Sequence, residues 1–196
     1  MDEQKSNRRR GEVLESAILQ AAWEEFSDLG YAHLTMESVA ARAKTNKAVL
    51  YRRWSNKAEL IRAALHIYLP KPMTVIPDTG NLRNDVVLYL RGLAEPLQIV
   101  GADAIHALIG ELLNKSLISA IPPILQPGTE SKLGAAMLTI LKNAEKRGEI
   151  NLAQMSPRII SLPLDLFRYE VLSRHEPVSD KTITEIVDVI FMPLLK

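Results

Sequence analysis

Three helix starts fall between Thr35 and Leu60, and a stretch punctuated so densely has room only for short helices meeting at sharp angles. Thr35, Asn46 and Asn56 each carry a short side-chain oxygen that can accept from the free N–H groups of a first helical turn. Asn56 is followed three residues later by Glu59, the spacing of a capping box. Val39, Ala40, Ala41 and Ala43 lie between the first two caps and are small enough for close helix approach, while Val49, Leu50, Tyr51 and Trp54 follow the second. The pattern predicts a short helix, a tight turn at Lys44-Thr45, a second short helix and the start of a third, which is the layout of a helix-turn-helix.

Charge points the same way. From Ala40 to Arg62 the bases are Arg42, Lys44, Lys47, Arg52, Arg53, Lys57 and Arg62 and the one acid is Glu59, a balance of +6 in a chain whose net charge is +1. A basic block on a small helical unit is the footprint of a phosphate-binding surface. Alone, the same block is equally a solvated face that binds nothing; joined to the cap pattern it favours DNA. The second short helix, about Asn46 to Trp54, is expected to enter the major groove by its N-terminal end, with Thr45, Asn46, Lys47, Ala48 and Arg52 towards the duplex. Ala48 and the Thr45 methyl suit a thymine methyl. Lys47 or Arg52 either reads guanine or holds phosphate, and the sequence leaves both open. Val39, Ala43, Val49, Leu50, Trp54 and Leu60 are expected in the core.

These residues resemble the DNA-binding domain of the TetR family of bacterial transcriptional regulators, over about Gly11 to Tyr68. The likeness is carried by Phe26-Ser-Asp-Leu-Gly-Tyr31, Leu34-Thr-Met-Glu-Ser-Val-Ala, Asn46-Lys-Ala-Val-Leu-Tyr-Arg-Arg-Trp54 and Ser55-Asn-Lys-Ala-Glu-Leu60. The chain departs from the family at Lys44, where a glycine is common, and at Thr45, where a small aliphatic residue is. The resemblance implies that Tyr51 and Lys57 hold backbone phosphates, and Thr35 is a candidate for the same role at its own helix start.

The rest of the chain reads as all-α, because helical periodicity recurs and period-two alternation does not. The expected architecture is an N-terminal three-helix helix-turn-helix domain, residues 1–70, and a C-terminal helical ligand-binding and dimerisation domain, residues 71–196, with about nine helices in all. The absence of cysteine rules out disulfides and thiolate metal sites and suits a cytoplasmic location. No apolar run is long enough to cross a bilayer, and the polar start is unlike a secretory signal, so no membrane partner is expected. Met1 to Asn7 is expected to be disordered, and Arg8-Arg9-Arg10 to be either a DNA-reaching arm or a frayed end. The first helix is predicted from Gly11 to Leu29, with Leu14, Ala17, Ile18, Ala21, Ala22, Phe26 and Leu29 as one stripe, Trp23 packing beside it, and Gly30 as its stop.

After a fourth helix, Pro70, Pro72, Pro77 and Gly80 form a hinge. Helix 5 follows Asp78 to Asn81 and is kinked or ended by Pro96; Gly101 to Asp103 caps helix 6; Ile118 to Gly128 is a loop; helix 7 spans about Thr129 to Arg147. Ser156 with Pro157, and Ser179, cap the last two helices. Those two are apolar on more than one face. Ile159, Leu162 and Leu166, with Ile183, Ile186, Val187, Ile190 and Leu194, are expected to form a four-helix homodimer interface with a second copy, as the family does. Two-fold symmetry then sets the two recognition helices about 34–36 Å apart, matched to a palindromic double-stranded DNA operator.

The resemblance also implies a small-molecule effector cavity among helices 4 to 8. Candidates are Tyr68, Tyr89, His106, Glu111, Met137, Phe167 and Tyr169, residue types that are more often ordinary core. His106 and Asp103 lie one turn apart, but two residues make no metal site, and a carbonyl-bonded His106 is the simpler expectation. No metal and no cofactor is expected, and no nucleophile or paired-carboxylate constellation suggests an enzyme. The function expected is a DNA-binding regulator, a repressor released by an effector. The alternatives are a regulator without effector, favoured by a closed C-terminal core, and a helical small-molecule-binding protein that has lost DNA binding.

Overall fold

The computed structural model describes residues 3–70, 75–114 and 131–195, with side chains described over 11–70, 75–110 and 131–195. Among these residues the chain is all-α. It parts between Pro70 and Lys71 into two compact units. The first holds α1 (Glu3–His33), α2 (Met36–Arg42), α3 (Lys47–Tyr51) and α4 (Lys57–Tyr68). The second holds α5 (Leu82–Val100), α6 (Ala102–Asn114), α7 (Lys132–Lys146), α8 (Pro157–Ser173) and α9 (Asp180–Thr184). α9 continues as a π-helical stretch, Glu185–Phe191, and a final 3-10 turn, Met192–Leu195.

In the first unit α1 begins at Glu3 rather than Gly11, so the backbone of Arg8-Arg9-Arg10 belongs to the helix and not to an arm. Gly30 breaks α1 with φ 72 and ψ 170, a region essentially reserved for glycine. One further turn, Tyr31 to His33, follows it. Ile18, Ala22 and Phe26 of the expected stripe are buried, as are Val39, Leu50, Trp54 and Leu60 of the following helices. Leu29 is instead exposed and Leu19 buried, a slight rotation of the stripe. Trp23 stacks on Phe26 and on Tyr68, with centroids 6.0 and 5.9 Å apart.

All three caps form. Thr35 Oγ1 accepts from Ser38 N at 3.0 Å and Ser38 Oγ accepts from Thr35 N at 3.2 Å, a capping box with serine at its far end. Asn46 Oδ1 accepts from Val49 N, and Asn56 Oδ1 from Glu59 N. The Glu59 carboxylate returns to Ser55 N at 2.8 Å, one residue before the cap.

The turn between α2 and α3 is a Schellman motif. Thr45 N donates to Ala40 O at 2.9 Å and Lys44 N to Ala41 O at 3.1 Å, with Lys44 left-handed at φ 53. α7 ends identically: Glu149 N donates to Ala144 O, Gly148 N to Glu145 O, and Gly148 has φ 76. The same hydrogen bonds close both helices, but only the second uses the residue that adopts this conformation without a Cβ penalty. Lys44→Gly is therefore expected to raise stability by roughly 0.5–1 kcal/mol, the relief of strain outweighing the greater freedom of glycine in the unfolded chain. Thermal melting measures it, and an unchanged or lower midpoint contradicts a strained turn.

The second unit has its own core. Leu82, Val86, Leu90, Met137, Ile140, Leu141, Leu164, Phe167, Val187 and Phe191 are buried in one cluster. α5 does not end at Pro96 but continues to Val100. The carbonyl that a proline ring crowds, four residues back, belongs here to Gly92, which has no side chain to restrict adjustment. Gly101, φ 80, closes α5, and α6 starts directly at Ala102 with Asp103 in its first turn. α7 starts from Ser131, whose Oγ accepts from Gly134 N at 3.1 Å. Pro72, Thr129 and the expected Ile118–Gly128 loop lie outside the described residues. In the π-helical stretch Ile186 and Phe191, five apart, are buried together, as the wider turn allows.

Two arginine–aspartate clamps tie α5 to the last helix. Arg83 binds both carboxylate oxygens of Asp188, and Arg91 both of Asp180. Hydrogen bonding to these guanidinium groups holds both aspartates below the ordinary carboxylate pKa. Groups depressed in the folded state contribute stability above their unfolded pKa, near 3.9, and lose it as pH falls through the folded value. The urea midpoint is expected to drop below about pH 4, and to drop less steeply in Arg83→Ala/Arg91→Ala. An equally steep fall in that variant assigns the acid loss to other carboxylates.

Candidate nucleic-acid interface

α3 has five residues, too few to be helical alone, so tertiary packing holds it. Leu50 is fully buried and Trp54 nearly so, which turns one side of the segment inward. The opposite side is left to solvent: Asn46, Lys47, Ala48, Tyr51 and Arg52 are exposed, and Thr45 is half-buried. Thr35 is exposed at the start of α2. The predicted DNA-facing residues from Thr45 to Arg52 thus share one short surface segment.

The charge of that surface differs from the sequence tally. Arg42 bonds Glu25 at 2.6 Å and Asp28 at 2.8 Å, with Glu24 at 3.8 Å. Glu25 is itself buried. Arg53 pairs with Glu15 and donates to Gly11 O. Lys47 Nζ lies 3.3 Å from Glu37 Oε1. Folding therefore neutralises three of the seven bases with acids from outside the window. Among the described residues Lys44, Arg52 and Arg62 have no carboxylate partner. Lys57 is half-buried; its Nζ donates to Tyr31 O at 3.0 Å and Leu34 O at 3.4 Å and sits over the Tyr31 ring. That leaves one N–H direction for a phosphate, and gives Lys57 a structural role at the end of α1 that its spacing did not reveal.

The described residues expected around an effector have different surroundings. Tyr68 stacks on Trp23 within the first unit. Tyr89 donates to Leu133 O at 2.8 Å, and its burial pushes the phenol pKa up to about 12. Met137 and Phe167 are buried in the unit's core. Tyr169 points outward, 62% exposed. His106 is half-buried, with Nε2 3.0 Å from Val171 O, the carbonyl bond expected, and Nδ1 3.1 Å from His175 Nδ1. The Glu111 side chain lies outside the described residues.

The last two helices divide their apolar residues between core and surface. On α8, Leu164, Phe167 and Val171 face inward, while Ile159, Leu162 and Leu166 are half-buried and Tyr169 is exposed. On α9 and its continuation, Ile183, Ile186 and Val187, expected at a dimer interface, are instead buried in the unit's own core. They face α5 and α8 because helical periodicity cannot say which of two apolar faces turns inward. Val189, Ile190 and Leu194 remain exposed. A groove of about 340 Å³ opens between Leu166, Glu170, Arg174, Ile186 and Ile190.

An all-helical chain whose N-terminal unit projects a short capped helix, apolar behind and polar in front, is by class a helix-turn-helix protein. Residues 18–64 match the family model for bacterial regulatory proteins of the tetR family, and residues 76–190 match the tetracyclin repressor-like C-terminal domain. An HTH-type transcriptional regulator of Mycobacterium tuberculosis, itself uncharacterized, is 31% identical over 185 residues, covering 92% of this chain and 87% of the relative. A DNA-binding transcriptional repressor TetR of Mycobacteroides abscessus is 42% identical over 89 residues, 45% of this chain and 47% of that one. A crystal structure of a TetR family transcription regulator superposes with TM-score 0.56 at 24% identity, covering 91% and 96% of the two chains. The chain belongs to the TetR family of bacterial transcriptional regulators, with a DNA-binding helix-turn-helix. No helix among the described residues is long and apolar enough to cross a membrane.

Proposed function

We propose that this chain is a homodimeric repressor that holds an inverted-repeat operator through α3 and is released by a small-molecule effector, acting in the cytoplasm. The observation that carries the DNA half is the outward face of α3, where Asn46, Lys47, Ala48, Tyr51 and Arg52 are exposed over a buried Leu50. In this reading Thr35 and Lys57 hold phosphates at the helix starts, and Thr45 flanks the base-reading segment. Repression is supported by the Mycobacteroides abscessus relative, a DNA-binding transcriptional repressor. Dimerisation is supported by the exposed apolar residues on the outer side of the last two helices, Tyr169, Val189, Ile190 and Leu194, beside half-buried Leu162 and Leu166.

Selection of bound duplexes from a random pool tests the reading. An inverted repeat with half-sites one or more helical turns apart is expected; a single asymmetric site overturns the dimer, and no enrichment overturns sequence-specific binding. Arg52, exposed and without a carboxylate partner among the described residues, is expected to matter most among the bases. Arg52→Ala is expected to weaken operator binding by about 1–3 kcal/mol if it reads a base, with relaxed specificity at one position. A uniform loss with a salt slope lower by about one assigns it to phosphate.

The effector half has its own test. A compound that binds the C-terminal unit must raise the melting point and weaken DNA binding together, because coupling between sites is reciprocal. A regulator without an effector is the second reading, favoured by the closed packing around Met137 and Phe167.

A further inference from the structure

The two helices of the helix-turn-helix are joined by an ion pair as well as by packing. Lys47 is the first residue of α3, and its Nζ lies 3.3 Å from Oε1 of Glu37 in the first turn of α2. Backbone hydrogen bonding at its own helix start, then the Lys47 ammonium, hold the Glu37 carboxyl below its ordinary pKa. Glu37 is therefore an anion at any pH at which duplex DNA is bound.

The other acids that neutralise this region serve the fold. Glu25 is buried beneath Arg42, and Glu15 fixes Arg53 against α1. Glu37 differs. Both partners of its pair are largely exposed, 59% and 64%, and exposed pairs contribute little to stability. Its partner stands at the N-terminal end of the segment that enters the groove. A carboxylate there competes with the phosphate backbone for the same ammonium.

Resting on the assignment of α3 to the major groove, we propose that Glu37 is a specificity-determining residue: it holds Lys47 against α2 and so lowers affinity for DNA of arbitrary sequence. A phosphate on a random duplex must displace Glu37 to reach Lys47 and gains little by the exchange. A cognate site, where the rest of α3 is seated, offers Lys47 a base-edge acceptor in a fixed geometry and offsets the lost pair. The carboxylate thus widens the gap between specific and non-specific binding without touching a base.

The test uses the full chain and a fluorescent random-sequence duplex, with anisotropy followed from 50 to 200 mM KCl. Wild type, Glu37→Gln, Lys47→Ala and the double variant are compared. One added phosphate contact steepens the salt slope by about 0.9, which makes Glu37→Gln roughly 3-fold or more tighter than wild type at low salt. In the Lys47→Ala background the same change is expected to alter binding less than about twofold, because the released ammonium is gone. A gain that persists without Lys47 is a bulk charge effect and overturns the proposal, as does a Glu37→Gln protein that binds no tighter. Wild-type protein that binds no duplex at low salt overturns the groove assignment itself, a different outcome from an unresponsive variant. Thermal melts of the four proteins within a few degrees of each other show that the comparison reads binding and not unfolding.

Discussion

Leu50→Ala is expected to abolish DNA binding at 37 °C although Leu50 presents no atom to the duplex. The side chain is fully buried on a five-residue helix. Truncation of such a leucine costs about 2–5 kcal/mol through lost transfer energy and the cavity left behind. A unit of this size has only several kcal/mol in total. α3 has no independent helical stability to fall back on. Its C-terminal end is fixed by bonds from Arg53 N and Trp54 N to Leu50 O, and the Trp54 ring is buried beside it. Loss of the leucine therefore releases Lys47, Ala48, Tyr51 and Arg52 together, a larger effect than removing any one of them. The melting transition of the N-terminal unit is expected to fall by about 10 °C or more. An unchanged midpoint with weakened DNA binding contradicts this account, since it would make Leu50 a contact residue.

Asp85→Ala is expected to destabilise the C-terminal unit by about 3 kcal/mol. The Asp85 carboxylate is fully buried. One oxygen accepts from Thr79 N at 2.6 Å and Thr79 Oγ1 at 2.7 Å, and the other from Arg147 Nη2 at 2.9 Å. Arg147 also holds Asp78 and Glu149, and Glu149 in turn accepts from Leu82 N at 2.8 Å at the start of α5. One buried charge thus joins the entry of α5 to the exit of α7. Alanine takes away the acceptor shared by both Thr79 donors and one of the carboxylates that hold Arg147. Asp85→Asn keeps one carbonyl oxygen for Thr79 and is expected to cost clearly less. Urea unfolding of both variants measures the difference, and equal losses contradict the role given to the Thr79 bonds.

Leu50 is legible as core, but nothing in the sequence around Asp85 marks it as buried. Asp85 sits in the first turn of a helix, where an acid reads as a helix-dipole residue or a solvated one. Its partner Arg147 is 62 positions away. Lys57 reads as a cation at a helix N-terminus, yet its ammonium turns back to Tyr31 and Leu34. The basic block reads as +6 because a window counts only its own acids; Glu15, Glu24, Glu25 and Asp28 arrive from α1 and remove much of it. Ile183, Ile186 and Val187 read as an outer face because both sides of their helix are apolar, and only the packing against α5 and α8 shows which side is enclosed. Even Pro96, a breaker by itself, leaves α5 continuous to Val100.

The caps at Thr35, Asn46, Asn56, Asn81, Ser156 and Ser179 and the stops at Gly30 and Gly148 were determined by the sequence by itself. Each is settled by bonds reaching no more than about five residues along the chain, so the local order of residue types is enough. Which cations stay free to meet a phosphate, which apolar faces stay outside, and which carboxylate is sealed in the core were decided only by the tertiary structure. Charge and burial act through space, and their partners lie tens of residues away, where no local pattern reaches.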